Sequence, residues 1–239
     1  MNIFFGKKSP QFYKELLIKA DLGLHDQIAE AISKKVPKGS RILDFGAGEG
    51  ALSERLFDMG YKIIAADKDA ENFKSKNCDF SLINFDQPDE VDAFALKHTN
   101  QFDVVLGVEV IEHVQDQWKY VRQLMTMVKP GGIVLITTPN TTSWLSRMIF
   151  LFTGRFHQFA DSDLSYGHIN PVSPWEIELI MKGVGAQNLE LFGAGTLPAI
   201  YITRSPKLLF LNLFALFLRP FSSGMLDGWC VMAIAKKPE

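Results

Sequence analysis

Two spacings of apolar residues alternate along this chain. From residue 11 to 36, Leu16, Leu17, Ala20, Leu24, Ile28, Ala31 and Ile32 recur at helical spacing, and Pro37 with Gly39 ends the run. Beyond it, short apolar runs alternate with amphipathic ones. "RILDFGAG" reads as a strand running into glycines, "ALSERLFDMG" as a helix closed by Gly60, and "KIIAAD" as the next strand. "FSLINFD", "FDVVLGVEV" and "GIVLITTPN" follow as strands, with a helix expected from about Val110 to Met127 between the last two. "AQNLELFG" and "GWCVMAIAKK" read as a final pair of strands. Mostly apolar strands alternating with helices predict an α/β domain whose parallel sheet is covered on both faces. The expected architecture is a doubly wound seven-stranded sheet, parallel except for one antiparallel strand.

Two stretches interrupt this alternation, at 141–168 and 194–227. Both are apolar: "WLSRMIFLFTGRF" (Trp144–Phe156) in the first, and "KLLFLNLFALFLRPF" (Lys207–Phe221) in the second. Leu208 to Leu218 contains a single polar residue, Asn212, and cations flank the apolar cores at Arg147, Arg155, Arg204, Lys207 and Arg219. Such segments either pack together as a lid or rest on a membrane surface with their cations at the headgroups. The chain thus divides into an amino-terminal helical cap (1–38), a ligand-binding core (39–140) and two lid insertions, all within one domain, 1–239.

Composition narrows the function classes. With 47% hydrophobic and 22% charged residues the chain is a folded globular protein. A formal charge of -2 gives no electrostatic reason to expect a nucleic-acid partner. Two cysteines, Cys78 and Cys230, make no disulfide framework, which points to a reducing compartment. "MNIFFGKKSP" is too short in apolar residues for a signal peptide, and no run reaches the ~18 apolar residues of a membrane span. The expected location is cytoplasmic, with peripheral membrane contact through the insertions.

The first chemistry lies in "ILDFGAGEG". Gly46, Gly48 and Gly50 stand between a strand and a helix, where missing side chains let a ligand approach the backbone. The next strand ends in Asp67, about 20 residues on, where an acid binds a ribose diol. The spacing is GxGxG, not the GxGxxG of a dinucleotide site, and Asp44 precedes it by two places. In these residues the chain resembles the class I S-adenosylmethionine (SAM) dependent methyltransferases, over roughly residues 40–140, and "VKPGG" at Val128–Gly132 matches that family as well. The resemblance implies a Rossmann-like fold and SAM as cofactor. Asp44 and the glycine turn would shape its methionyl end, Asp67 would bind its ribose and Asp86, in "INFD", its adenine amino group. Position 68 is often apolar in that family and here is Lys68, whose aliphatic stem can cover the ring.

The second chemistry is "VEVIEHV". Glu109, Glu112 and His113 stand at i, i+3 and i+4, on one face of a helix if the segment is helical. They follow an apolar strand whose carboxyl end should reach the ligand crevice. "SYGHINPVSPWEI" brings His168 to the same rim. Two carboxylates and two imidazoles form a mixed O/N set suited to Mg²⁺, Mn²⁺, Fe²⁺ or Zn²⁺, and either histidine alone could act as general base. The ExxEH segment is similar to that of ubiquinone-biosynthesis O-methyltransferases and of small-RNA 2′-O-methyltransferases. In the RNA enzymes such residues hold a divalent ion, a role that would fall on Glu109, Glu112, His113 and His168. The resemblance to the ubiquinone type implies O-methylation of an amphipathic or lipid-linked small molecule, such as a quinone precursor or a lipid-linked glycan. RNA 2′-O-methylation and non-catalytic SAM binding are the alternatives. His157, Tyr166 and His25 are further residues that the fold could bring to the pocket.

Overall fold

The computed structural model describes residues 10–196 and 226–239, together with Phe210, Leu213, Phe214 and Phe217. Among them lies a seven-stranded sheet: β3 (Arg41–Phe45), β4 (Lys62–Asp67), β5 (Asp79–Leu82), β6 (Phe102–Val108), β7 (Val128–Pro139), β8 (Gln187–Ala194) and β9 (Cys230–Lys236). Across the sheet they run β5-β4-β3-β6-β7-β9-β8. β9 pairs antiparallel with both β7 and β8, so it alone opposes the direction of the rest. The Rossmann-like doubly wound architecture expected from the sequence is the one observed.

Helices close both faces. Leu24, Ile28 and Ile32 of α1 (Leu24–Lys35), with Leu52 and Leu56 of α2 (Ala51–Asp58), bury against Ile42, Val104, Leu135 and Met232. On the other face, α3 (Pro88–Lys97), α4 (Gln117–Met127) and α6 (Pro174–Gly183) pack Phe94, Leu124 and Ile180 onto Phe45, Val105 and Val134. Chain order reverses between β3 and β6, and this opens a crevice beyond the strands' carboxyl ends.

Two expected helices differ. The 11–36 segment is a hairpin, β1 (Gln11–Tyr13) with β2 (Leu16–Ile18), followed by the shorter α1. Lys14 turns the chain with φ 53, and Gly23, at φ 74, begins the helix. Leu16 and Ile18 alternate inward against Ala51, a strand period that coincides over these few residues with the helical spacing of the sequence. The amino-terminal cap is therefore hairpin plus helix. The helix expected from Val110 starts only at Gln117, where the Asp116 side chain accepts a hydrogen bond from the Lys119 amide. Residues 109–116 form a turn, so Glu109, Glu112 and His113 do not share a helix face.

The first insertion holds α5 (Trp144–Thr153) and a 3-10 turn, Asp161–Tyr166. Trp144 and Leu145 bury beside Trp229, whereas Phe150, Leu151 and Phe152 are exposed. Most of the second insertion, with Arg204, Lys207 and Arg219, lies outside the described residues, as do residues 1–9. Among the described residues no helix is long and apolar enough to cross a membrane.

Candidate active site

The crevice holds a cavity of about 1360 Å³ bordered by Asp44, Gly46, Gly48, Asp67, Lys68, Asp86, Glu109, His113 and His168. At one end the chain leaves β3 through the glycine turn. Gly46 has φ 107, and a Cβ there would sit 2.3 Å from Val110 Cγ2, so no side chain fits. Gly48 faces open space, and its amide donates to Asp67 Oδ2 at 2.8 Å. The Asp69 amide donates to the other oxygen, Oδ1, at 3.2 Å, which aims the carboxylate at the mouth of β4. Asp44 is fully buried and accepts from Ser53 Oγ at 2.6 Å. Burial pushes its carboxyl up to about 6, against the Ser53 hydrogen bond and helped by the Asp67 charge. Lys68 Nζ and Asp86 Oδ2 lie 3.6 Å apart on the exposed rim of the cavity, whose lining also includes Phe85.

Glu49, in the same turn, has a latching role. It accepts from the Leu17 amide at 3.2 Å and pairs with Lys74 Nζ at 3.0 Å, which ties the hairpin to the glycine turn. The Lys74 hydrogen bond holds its carboxyl below the usual range.

At the other end the two acids part. Glu109 adopts φ 53, and its amide donates to the Thr137 carbonyl and to Thr137 Oγ1, both at 3.1 Å. Thr137 Oγ1 donates in turn to Glu109 Oε1 at 2.8 Å, and Cys230 Sγ donates to Oε2 at 3.5 Å. Glu112 turns the other way and is fully buried. Its Oε2 accepts from Thr138 Oγ1 at 3.1 Å, while Oε1 has no hydrogen-bond partner. Burial first, then the Glu109 charge, push the Glu112 carboxyl well above the usual range. Neighbouring residues on a strand face opposite ways, so Thr137 and Thr138 draw the two glutamates to opposite faces of the sheet.

The 167–170 segment docks onto this turn. The Ile169 and Asn170 amides donate to the Glu112 carbonyl at 3.2 and 3.0 Å, and Asn170 Nδ2 donates to the Val114 carbonyl. This brings the His168 ring to 5.0 Å from that of His113, centroid to centroid. His113 Nδ1 lies 2.9 Å from the Gly167 carbonyl and His168 Nδ1 2.8 Å from the Gln158 carbonyl. A carbonyl only accepts, so each Nδ1 carries the proton and each Nε2 keeps its lone pair. His113 Nε2 lies 3.9 Å from Glu112 Oε1. Burial, and then His168, lower the basicity of His113 below that of a free imidazole. One ligand atom each from Glu112, His113 and His168 lies within 4.8 Å of the others.

Of the four residues expected around a metal, three thus meet and Glu109 does not join them, because Thr137 and Cys230 hold its carboxylate. His25 and Tyr166 line the cavity, while His157 stacks edge-on against Trp229 outside its lining. Thr137, Thr138 and Asn170 were not anticipated. The signal for the threonines was a polar pair closing an otherwise apolar strand beside two acids.

The fold and sequence have counterparts among known proteins. The methyltransferase-domain family matches residues 19–191. A ubiquinone biosynthesis O-methyltransferase of Caulobacter vibrioides is 34% identical over 108 residues, 44% of this chain and 43% of that protein. A protein of the same name from Azorhizobium caulinodans is 30% identical over 177 residues, 69% of this chain and 65% of its own length. The chain thus spans only about half the length of the curated relatives it matches. A solved structure of a SAM-dependent methyltransferase from Archaeoglobus fulgidus shares the fold, with a TM-score of 0.61 at 17% identity over 89% of this chain and 94% of that one. By the match over most of its length, this chain belongs to the methyltransferase-domain family.

Proposed function

We propose that the protein is a SAM-dependent O-methyltransferase acting on a hydroxyl of an amphipathic small molecule. The observation that carries the reading is one cavity bordered at one end by Asp44, Gly48 and Asp67 and at the other by His113 and His168. When bound there, SAM supplies a methyl group already activated by its sulfonium. The protein has to align the acceptor oxygen with that methyl and remove a proton. Asp67 offers its carboxylate to a ribose diol, and Asp44 and the bare Gly48 backbone shape the methionyl end. His113 Nε2, with its proton held on Nδ1 by the Gly167 carbonyl, takes up the proton of the attacking hydroxyl.

A second reading rests on Glu112 Oε1, buried without a hydrogen-bond partner, 3.9 Å from His113 Nε2 and close to the His168 ring. Imidazoles whose Nδ1 protons are held by carbonyls are oriented as metal ligands commonly are. Glu112, His113 and His168 therefore fit a divalent ion such as Zn²⁺, Fe²⁺ or Mn²⁺, which when bound would lower the pKa of a hydroxyl acceptor. Elemental analysis of purified protein, with activity before and after chelation, separates the readings. Transfer insensitive to chelator, without bound metal, leaves His113 as the base.

The amphipathic acceptor follows from the relatives' ubiquinone-biosynthesis names and from exposed apolar surface. Phe210, Leu213, Phe214 and Phe217, at i, i+3, i+4 and i+7, are all exposed, as are Phe150, Leu151 and Phe152 of α5. These faces suit shallow contact with a lipid surface. A quinone precursor is the favoured acceptor and a lipid-linked glycan the next. The test is transfer of labelled methyl from SAM into a whole-cell extract, membranes included, followed by organic–aqueous partition. Label is expected in the organic phase. Label confined to the aqueous phase would overturn the amphipathic acceptor, and tight SAM binding with no transfer would leave a non-catalytic SAM-binding protein.

A further inference from the structure

We propose that Gln158 and a small cavity beside it form a specificity subsite for the molecule that receives the methyl group. The Gln158 side-chain amide donates to an oxygen of that molecule other than the one methylated, and the cavity takes the apolar group next to this oxygen. This rests on the O-methyltransferase reading above and names what its substrate must carry.

The cavity, of about 310 Å³, lies between α5 and the 3-10 turn. Ile149, Phe156 and Ala160 give it apolar walls, and Phe156 is braced by a stack on Phe150 with ring centroids 4.6 Å apart. Small-molecule sites run from about 300 to 1,000 Å³, so this one suits a single apolar group more than a whole ligand. Gln158 and Asp163 border both this cavity and the crevice, and so form a wall that the two share.

Gln158 is strained where it stands. The Phe159 amide donates to the Phe156 carbonyl at 3.1 Å, closing a turn whose third residue, Gln158, has φ 68. Glycine or asparagine is favoured at such a position. Strained backbone collects at ligand sites, and a glutamine held there points to a use for its side chain.

The side chain supplies that use. Its Nε2 is buried with no hydrogen-bond partner. Other polar groups of the same cavity are engaged: Arg155 pairs with Asp161, Asp163 Oδ2 accepts from the Ala160 amide, and Thr153 Oγ1 donates to the Ile149 carbonyl. An amide nitrogen only donates, so Gln158 Nε2 calls for an oxygen. In a wall between two ligand cavities, that oxygen is best supplied by the ligand. The backbone of the same residue already serves the site, because its carbonyl holds His168 Nδ1 at 2.8 Å. A side-chain substitution that keeps the turn should leave this second role intact.

The experiment measures labelled methyl transfer from SAM into a whole-cell extract, membranes included, at graded dilution. Wild type, Gln158→Gly, Gln158→Asn and Ile149→Trp are compared, with melting temperatures to report folding. Gln158→Gly should melt no lower than wild type, since glycine takes φ 68 without strain. It should raise the apparent KM for the extract about fivefold with kcat nearly kept, as expected for one neutral hydrogen bond. Gln158→Asn, which keeps an amide and tolerates positive φ, should recover part of that loss. Ile149→Trp fills the cavity from α5 and should raise the same KM without changing SAM affinity. A lower melting temperature with unchanged KM in Gln158→Gly would make the glutamine merely structural and overturn the proposal. Unchanged KM in Ile149→Trp would overturn the role of the cavity. Wild type that binds SAM but transfers no label would overturn the O-methyltransferase reading and the subsite with it, a result distinct from the other two.

Discussion

Replacing Asp44 by Asn should stabilise the ligand-free protein and cripple it as a cofactor binder. The carboxyl is fully buried, with Ser53 as its hydrogen-bond donor, and burial moves it from 3.8 to about 6. For an acid raised on folding, the native state binds more protons than the unfolded chain between those two values. Stability therefore falls as pH rises through the window and stays low above it. At about 1.4 kcal/mol per pH unit, the ionised Asp44 costs about 3 kcal/mol at neutral pH. Asparagine mimics the protonated form and its amide oxygen can still accept from Ser53. The gain in unfolding free energy should therefore approach about 2–3 kcal/mol at pH 7.5 and shrink toward zero near pH 4. Urea unfolding of both proteins across that range, without ligand, measures it. On the proposed function SAM affinity should fall at the same time, since the charge offered to the methionyl end is gone. A stability gain independent of pH, or destabilisation at pH 7.5, would refute the reasoning.

Three further outcomes are expected. Gly46→Ala places a methyl 2.3 Å from Val110 Cγ2 at φ 107, and should lower unfolding free energy by roughly 2–4 kcal/mol in urea titration, with loss of cofactor binding. Thr138→Val removes the donor to Glu112 Oε2 and should cost about 1–3 kcal/mol, whereas the same change at an exposed threonine such as Thr153 should cost far less. If His113 is the base, kcat/KM should rise with pH and level off at a midpoint below 6.5, because burial and His168 lower its basicity and only the neutral ring accepts a proton. A midpoint above 7, or a profile unchanged in His113→Gln, would remove it from that role.

The parts of this site legible in the sequence are those fixed by local backbone geometry. Gly46 must be glycine because the turn leaving β3 has no room for a side chain, and that demand is written as a glycine pattern after an apolar strand. Asp44 and Asp67 could be placed because each occupies or ends a strand whose apolar run is visible. The hairpin was hidden because Leu16 and Leu17 satisfy a helical and an alternating pattern equally well. The turn at 109–116 was hidden because Val110, Ile111 and Val114 mimic a helix face, while a left-handed Glu109 and the Asp116 cap decide otherwise.

What no local pattern could show is which way each acid turns. Glu109 and Glu112 look equivalent in sequence, yet Thr137 and Thr138 sort them, since consecutive residues of β7 face opposite sides of the sheet. Glu109 thereby joins Cys230, whose other neighbours belong to the α1 face, and Glu112 joins His113 and His168. One side is that of the amino-terminal helix α1, the other that of the insertion that carries His168. The ExxEH segment is thus two half-sites joined by a turn. On the proposed function Glu109 sits on the side of the methyl donor and Glu112 on that of the acceptor, so the two acids should prove separable by mutation even though they are three residues apart.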